Sequence, residues 1–344
     1  MAEHACCQHE NEPPKPWYAR SFFWILAGTV LLLILSFVFP AFKNFHHAFF
    51  DYLKMVAWPV AAGFLIGGVV DYYIPREYIS KYLAAKSKRT IFYAAGLGFL
   101  MSACSHGILA LSMELHKKGA SGPAVISFLL ASPWANLPIT FLLIGFFGFK
   151  ALLIILIALL IAILTGLLFQ TLDHRGLIEK NRHTFHPGKE FSLRHDLAQR
   201  FRDYRFDFMK EVKGISKGAF ELFEMVAGWL LVGMVLAALS SAFVPPHLFK
   251  QFLGPSFSGL LWTMLLATVL EVCSEGTAPF AFEIYRQTRA FGNAFAFLMG
   301  GVVTDYTEIG LVWANLGPRT AVWMIAITLP QVIFFGWLFN IFFS

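Results

Sequence analysis

The sequence predicts an all-α integral membrane protein, and its composition and the length of its apolar runs support that prediction. Of the 344 residues, 57% are hydrophobic and only 14% are charged, whereas soluble domains carry about 25% charged residues. Stretches of about 20 apolar residues, the length that crosses a bilayer, recur throughout except between 173 and 217. Runs such as 151–168 are apolar on every face, so we expect helices and not the alternating strands of a membrane barrel.

The distribution of charge fits a membrane protein better than a nucleic-acid-binding protein. The formal net charge is +6, but the basic residues cluster in loops between apolar runs, as the positive-inside rule requires. We therefore expect no nucleic-acid partner. The polar tail before the first apolar run is expected to be retained and not cleaved as a signal peptide. Four tail residues offer metal ligands, although a disordered tail with accidental ligands is the interpretation we favour: His4, Cys6, Cys7 and His9.

The first half of the chain contains five expected membrane segments, two of them interrupted. In order they are 21–42, 49–74, 91–118, 122–148 and 150–172. Small and polar residues interrupt the third segment between Ser102 and Gly107. Pro133 and Pro138 interrupt the fourth, because each proline removes a helix hydrogen bond. We expect both to be discontinuous helices.

The second half repeats the first. Met55-Val56-Ala57 recurs as Met225-Val226-Ala227, 170 residues later. One residue out of that register, Cys104-Ser105-His106-Gly107 matches Cys273-Ser274-Glu275-Gly276, and Asn136 falls opposite Asp305. Interrupted segments at corresponding places in two halves indicate the central site of a transporter. The expected organisation is a cytoplasmic tail and first helix (1–47), membrane repeat 1 (48–172), a basic cytoplasmic linker (173–216) and membrane repeat 2 (217–344).

The positive charge of the linker favours an inverted arrangement of the two repeats. If every segment crossed the membrane from a cytoplasmic N-terminus, the linker would lie outside, against the positive-inside rule. If 91–118 and 260–289 are re-entrant hairpins, the linker and the basic segment 76–89 both become cytoplasmic. The repeats then have opposite orientations. We expect this arrangement, with about eight to ten membrane segments.

The paired loops carry the most chemically distinctive side chains in the membrane. They are Cys104, Ser105 and His106 in the first repeat and Cys273, Ser274 and Glu275 in the second. Thiolate with imidazole suits soft or borderline metals, and two facing thiols suit a trivalent metalloid. The alternative is that both cysteines are small buried residues that permit close helix packing. The candidate metal ligands are Cys104, His106, Cys273 and Glu275.

Two acidic residues near the second interruption are candidates for proton coupling. A carboxylate within hydrocarbon costs a few kcal/mol, so Asp305 and Glu308 are expected to face a cavity. Burial raises the pKa of such a group and suits it to carry a proton. Alternatively, Asp305 lies at the membrane interface or only bonds to a neighbouring helix. Asn136 is a candidate for the substrate site, although an ordinary interhelical hydrogen bond explains it equally.

The two loops also carry a family resemblance. Residues 104–122 and 272–279 resemble the bacterial predicted-permease family that includes the organoarsenical exporter ArsP, and the likeness covers roughly Tyr52 to the C-terminus. It implies a two-repeat permease of the inner membrane, with members assigned to efflux of trivalent organoarsenicals or of copper and zinc. Members with those roles typically show Cys-x-Cys in the first loop. Here His106 replaces the second cysteine, which shifts the preference toward zinc, copper or another borderline metal.

The sequence therefore predicts a secondary efflux permease and not an enzyme. It contains no phosphate loop and no His-Glu-x-x-His pair, and we expect no resident cofactor. The expected partners are the transported ion or small molecule and membrane lipid, and the oligomeric state stays open. Two alternatives also stay open: a permease for an organic solute or anion, and a membrane anchor or sensor subunit that acts through its linker.

Overall fold

The computed structural model describes residues 21–73, 88–101, 105–181, 208–270 and 273–343, and these are almost entirely helical. The helices are α1 (Ser21–Val38), α2 (Lys43–Tyr73), α3 (Lys88–Leu100), α4 (Ser105–Lys117), α5 (Gly122–Ala135), α6 (Leu137–Phe147), α7 (Lys150–His174), α8 (Phe208–Phe243), α9 (Pro246–Leu253), α10 (Phe257–Val269), α11 (Ser274–Thr288), α12 (Phe291–Val303), α13 (Tyr306–Leu316) and α14 (Pro318–Phe343). No strand occurs within these ranges. The all-α fold class is confirmed.

The described part of the chain forms a multi-pass membrane protein. Five helices are long and apolar enough to cross a membrane, or up to seven spans if each of two bent pairs counts as one. The expectation of eight to ten segments is therefore not confirmed. Large apolar side chains such as Trp58, Leu156 and Phe334 are exposed on the spanning helices. Continuous exposed apolar surface of this kind suits contact with lipid.

The helices of the second half begin at positions equivalent to those of the first. Ser105 and Ser274 begin α4 and α11, whereas Gly122 and Phe291 begin α5 and α12. Leu137 and Tyr306 begin α6 and α13 in the same way. The members of each pair lie 169 residues apart. The sequence repeat is therefore also a repeat of helical elements.

The equivalent helices α7 and α14 run antiparallel, so the repeats are inverted. The ammonium group of Lys150, at the start of α7, lies 5.9 Å from the ring centroid of Phe343 at the end of α14. Further along, Gln331 of α14 donates a hydrogen bond to Thr165 of α7 over 3.1 Å. Opposite directions in equivalent helices are the property that defines an inverted repeat.

One face of the molecule, which we call the linker face, contains the end of α7 and the start of α14. Beyond α7, Glu179 accepts hydrogen bonds from the backbone N–H groups of Arg319 and Thr320, over 2.9 and 3.0 Å. Asn181 donates to the carbonyls of His116 and Ala120, over 2.8 and 2.9 Å. The end of α4 and the start of α5 therefore also lie at the linker face. We call the other side the opposite face.

Helices α3 and α4 form a re-entrant hairpin from the linker face. Ser127 of α5 donates to the carbonyl of Ile91, and a Cβ added at Gly98 would lie 3.0 Å from the Cβ of Ala131. These contacts show that α3 runs parallel to α5, inward from the linker face. Helix α4 then returns to that face, where Asn181 holds its end.

Helices α10 and α11 form the equivalent hairpin from the opposite face. Near the start of α12, Asn293 donates to the carbonyl of Gly254, which precedes α10, over 2.9 Å. At the inner end, Thr268 of α10 donates to Thr304 beyond α12, also over 2.9 Å. Helix α10 therefore runs inward beside α12, and α11 leads back out. This pair of hairpins matches the arrangement expected from the positive-inside rule.

Helices α2 and α8 form an antiparallel pair, which we call the central pair because it joins the two repeats. Tyr73 and Glu211 form a hydrogen bond at its linker-face end, and the rings of Phe64 and Phe223 lie 6.0 Å apart further along. A Cβ added at Gly68 would lie 2.7 Å from backbone atoms of α8. Glycine is therefore required for this close approach, as is common between membrane helices.

We expect Glu179→Gln to destabilise the protein in a pH-dependent way. Burial raises the pKa of this carboxyl, but the N–H groups of Arg319 and Thr320 outweigh it, so the pKa is lowered overall. A lowered carboxyl pKa gives stability that is complete above the ordinary value of about 4.3 and is lost as the pH falls through the folded-state value. The variant should lose about 1 kcal/mol of unfolding free energy at neutral pH, as other helix-cap variants do.

Thermal unfolding of the purified protein in detergent, from neutral to acidic pH, checks this expectation. Glu221→Gln is the matched control, because Glu221 is exposed and pairs loosely with Lys217 over 3.8 Å. If the Glu179 variant unfolds at a lower temperature than the native protein by the same amount at every pH, the carboxylate of Glu179 is not the source of the stability.

Candidate transport site

Both broken spans are interrupted at a capping residue. Helices α5 and α6 together form one apolar span of 26 residues, and α12 and α13 meet at a bend of 41°. At the first break, Asn136 Oδ1 accepts the N–H of Ile139 over 2.8 Å. At the second, Asp305 Oδ1 accepts the N–H groups of Thr307 and Glu308 over 2.7 and 3.0 Å. Asn136 and Asp305 therefore both act as N-caps, satisfying N–H groups that lipid could not.

Four half-helices begin at this depth within the membrane and run outward. Helices α4 and α13 lead to the linker face, whereas α6 and α11 lead to the opposite face. The inner ends of α3 and α10 lie beside the break of their own repeat, because a Cβ added at Gly98 would lie 3.3 Å from the backbone nitrogen of Ser132 and Thr268 donates to Thr304. The positive ends of four helix dipoles therefore lie around the centre of the protein, which favours negative charge there.

Cys273 and Glu275 form a buried pair at the start of α11. The thiol of Cys273 is 9% exposed and donates a hydrogen bond to Glu275 Oε2 over 2.7 Å. The hydroxyl of Ser274 donates to the same oxygen over 3.1 Å. The carboxylate of Glu275 is 1% exposed. Among the described residues its partners are a thiol and a hydroxyl, with no basic side chain.

The remaining candidate ligands are not all within the described ranges. Cys104 and the tail cluster (4–9) lie outside them, and the side chains of Ser105 and His106 are not described. No group of three or more His, Cys, Asp or Glu side chains that could hold a metal occurs in the part of the chain that is described. Of the four predicted ligands, the structure thus brings Cys273 and Glu275 together.

The two predicted proton carriers lie at the start of α13. Glu308 is buried in the first turn of the helix, and its backbone N–H donates to Asp305. Asp305 is half-buried and accepts hydrogen bonds from two backbone N–H groups. Its position before a helix is a capping signal that the sequence contains.

A polar network near the opposite face was not predicted from the sequence. The carboxylate of Glu283 in α11 accepts hydrogen bonds from Arg286 over 2.7 and 3.0 Å and from Gln287 over 2.7 Å. Tyr52 of α2 also donates to Glu283, and Arg286 donates to Ser241 of α8. The signal in the sequence was an acid and a base three residues apart, which lie on one helix face.

Comparison with known proteins agrees with this architecture. A family model named ArsP_1, described as a predicted permease, matches residues 42–341. The chain is 23% identical over 265 residues to the UPF0718 protein YcgR of Bacillus subtilis, covering 76% of this chain and 84% of that protein. No solved structure matches the chain.

Two further relatives match over similar lengths. A Streptococcus mutans protein, provisionally named a two-component membrane permease complex subunit, is 24% identical over 255 residues, covering 73% of this chain and 79% of its own. The UPF0718 protein MJ0584 of Methanocaldococcus jannaschii is 22% identical over 349 residues, covering 84% of this chain and 93% of that protein. Since the family model spans both repeats and both breaks, this chain belongs to the predicted-permease family ArsP_1.

Proposed function

We propose that this permease exports a soft or borderline metal ion, or a metalloid species, through a site between the two Cys-Ser loops. The observation that carries the proposal is the Cys273–Glu275 pair: a thiol and a carboxylate on two nearly inaccessible residues, 2.7 Å apart at the start of the half-helix α11. We place the protein in the cytoplasmic membrane with its linker face toward the cytoplasm, following the positive-inside rule.

Burial of Glu275 favours a cation or a proton as its partner. An ionised carboxylate within the membrane costs several kcal/mol unless it is compensated. The α11 N-terminus compensates only partly, with about half an elementary charge. A bound metal ion would supply the rest, and a carboxylate with a thiolate is a ligand pair that zinc and related metals accept.

The hydrogen bond from Cys273 to Glu275 also gives a chemical basis for exchange of protons with the cargo. The thiol must lose its proton before it binds a metal, so metal binding releases protons and protonation releases the metal. In our proposal Cys104 and His106 complete the ligand set from the first repeat. Asp305 and Glu308 deliver protons, while Ser105, Ser274 and Asn136 line the substrate site.

An organic solute or anion is the second candidate for the cargo, and a separate observation favours it. Ser132 Oγ, Trp134 Nε1 and Asn136 Nδ2 are buried around the first break without a hydrogen-bond partner in the described structure. Buried donors of this kind favour a ligand with acceptor oxygens. On this alternative the two membrane cysteines serve only in packing.

We expect the Cys104→Ala/Cys273→Ala variant to lose its bound metal. Removing both thiols should weaken binding by about tenfold or more, since even outer ligands of metal sites have effects of that size. Mass spectrometry of zinc, copper and arsenic in the purified protein measures the content. The Cys6→Ala/Cys7→Ala variant is the matched control. Equal metal content in the native protein and the membrane variant, including none in either, would favour the organic cargo.

We expect Glu275→Gln to reduce the number of protons that metal binding releases. The amide keeps the shape of the side chain but is a weaker metal ligand than a carboxylate, so less zinc should bind and fewer thiol protons should be displaced. A pH indicator in weakly buffered detergent solution measures the release as zinc is added. Glu221→Gln, a change at an exposed acid, should behave as the native protein does. Unchanged proton release in Glu275→Gln would remove this residue from the site.

Two variants of Asp305 separate its capping role from proton transfer. Asp305→Asn keeps an acceptor for the N–H groups of Thr307 and Glu308, whereas Asp305→Ala removes it and should lower stability by about 1 kcal/mol. We expect the Asn variant to have the same unfolding temperature as the native protein. It should nevertheless lose export driven by a pH gradient in proteoliposomes. Native export by the Asn variant would leave Asp305 with the capping role alone.

A further inference from the structure

The two repeats pack differently against the central helices α2 and α8. In the first repeat, α2 packs along α6, which leads to the opposite face. A Cβ added at Gly63 would lie 3.1 Å from the Cβ of Phe141, and one added at Gly145 would lie 3.2 Å from Pro59 Cγ. These glycines therefore permit close contact between the two helices.

In the second repeat, α8 packs along α11 and not along α13, which is the equivalent of α6. A Cβ added at Gly233 would lie only 2.0 Å from the carbonyl oxygen of Gly276, at the start of α11. Gly233 is the counterpart of Gly63, 170 residues later in the repeat. The same position on the central helices thus contacts different partners in the two repeats.

The counterparts of these contacts are absent from the described structure. Neither α2 nor α8 packs along α4 or α13. On α13, Gly310 corresponds to Phe141, and a Cβ added there would meet nothing within 4 Å. Tyr306 on the same helix is 74% exposed. On α4, Gly107 is exposed although its counterpart Gly276 is buried.

Among the described helices, this asymmetry places the central pair over one half of the molecule and not over the other. Helices α6 and α11, which contact the central pair, lead from mid-membrane to the opposite face. Helices α4 and α13, which the central pair does not cover, lead to the linker face. Within the described residues, the central pair therefore closes the half that leads to the opposite face and does not cover the half that leads to the linker face.

The closed half is held by Glu283 and Arg286 of α11. Glu283 is fully buried and binds Tyr52 of α2, whereas Arg286 binds Ser241 of α8 as well as Glu283. One acid and one base thus tie α11 to both central helices. We call Glu283 and Arg286 the opposite-face gate.

The first repeat carries the same pair of charges. Glu114 and Lys117 of α4 stand 169 residues before Glu283 and Arg286. Glu114 is 39% exposed and forms an ion pair with Lys118 of its own helix over 2.7 Å, and Lys117 is exposed. Asp71 of α2 stands 170 residues before Ser241. The partners for an equivalent gate are therefore present in the sequence at the linker-face end.

We propose that the chain exchanges between this conformation and a second one in which α2 packs on α4 and α8 packs on α13. Glu114 and Lys117 then form a linker-face gate, as Glu283 and Arg286 form the opposite-face gate here. Inverted repeats provide such a conformation when they exchange their local contacts. The proposal rests on transport by this permease but not on the nature of its cargo.

Two pairs of introduced cysteines distinguish the conformations in the full-length chain, with its four native cysteines changed to serine. Pro59→Cys with Gly145→Cys reports this conformation, because the two Cβ atoms would lie 3.4 Å apart, close to the disulfide range of about 3.5–4.5 Å. The counterpart pair, Trp229→Cys with Ala314→Cys, reports the second conformation. Both of these positions are exposed in this structure.

We expect opposite effects from neutralising the two gates. Arg286→Gln should raise the cross-linking yield of the 229/314 pair several-fold and lower that of the 59/145 pair. Lys117→Gln should lower the yield of the 229/314 pair and raise that of the 59/145 pair. Lys117→Arg, which keeps the charge, should give the same yields as the chain without it. Lys217→Gln, at an exposed position on α8, is the control and should change neither yield.

Two results would overturn the proposal. One is the absence of 229/314 cross-linking in the Arg286→Gln variant, and the other is a shift in the same direction from Arg286→Gln and Lys117→Gln. Because the assay needs no metal, its outcome is independent of the metal content that tests the proposed cargo.

Discussion

The structure depends on satisfying the backbone N–H groups of helices that begin inside the membrane. Hydrocarbon offers these groups no partners, so a helix can start there only where protein supplies acceptors. Asn136 and Asp305 supply them for α6 and α13, and Cys273 stands at the cap position of α11. The breaks therefore concentrate polar residues at mid-membrane, and the candidate site is a consequence of how the half-helices begin.

The two repeats meet the same constraint with residues of different charge at equivalent positions. The first break is capped by neutral Asn136 and the second by Asp305, and the second loop carries Glu275 where the first carries His106. Helix N-termini alone would favour an anion. In the second repeat, however, the protein's own carboxylates already compensate those dipoles. This asymmetry is why we favour a cationic cargo, bound from one side by acids and from the other by neutral ligands.

Sequence reasoning identified the features that repeat or that break a pattern. The offset between the halves and the inverted direction of the repeats both correspond to the structure, as does the interruption before Ser274, whereas residues 102–104 of the first interruption lie outside the described ranges. The number of membrane segments was not confirmed, because helices such as α3 (Lys88–Leu100) are too short to cross a membrane alone. The domain boundaries stay predictions, although α8 begins at Phe208, within the segment assigned to the linker.

The sequence could not reveal which residues contact one another across repeats. The network around Glu283 needs Tyr52 from α2 and Ser241 from α8, and no local pattern joins residues so far apart in the chain. Asn136 and Asp305 were identified as polar residues in apolar segments, but their capping role depends on where each helix actually starts. Tertiary packing decides both questions.

In our proposal, small differences between the repeats decide which of the two conformations the chain prefers. Tyr52, which binds Glu283 in the closed half, corresponds to Leu222 on α8, a side chain without a hydrogen-bond donor. Phe141, which packs on α2, corresponds to Gly310, which has little surface to bury. In the second conformation that we propose, both replacements weaken the contacts of a linker-side closure. Tyr52 and Phe141 therefore favour the conformation that is closed toward the opposite face.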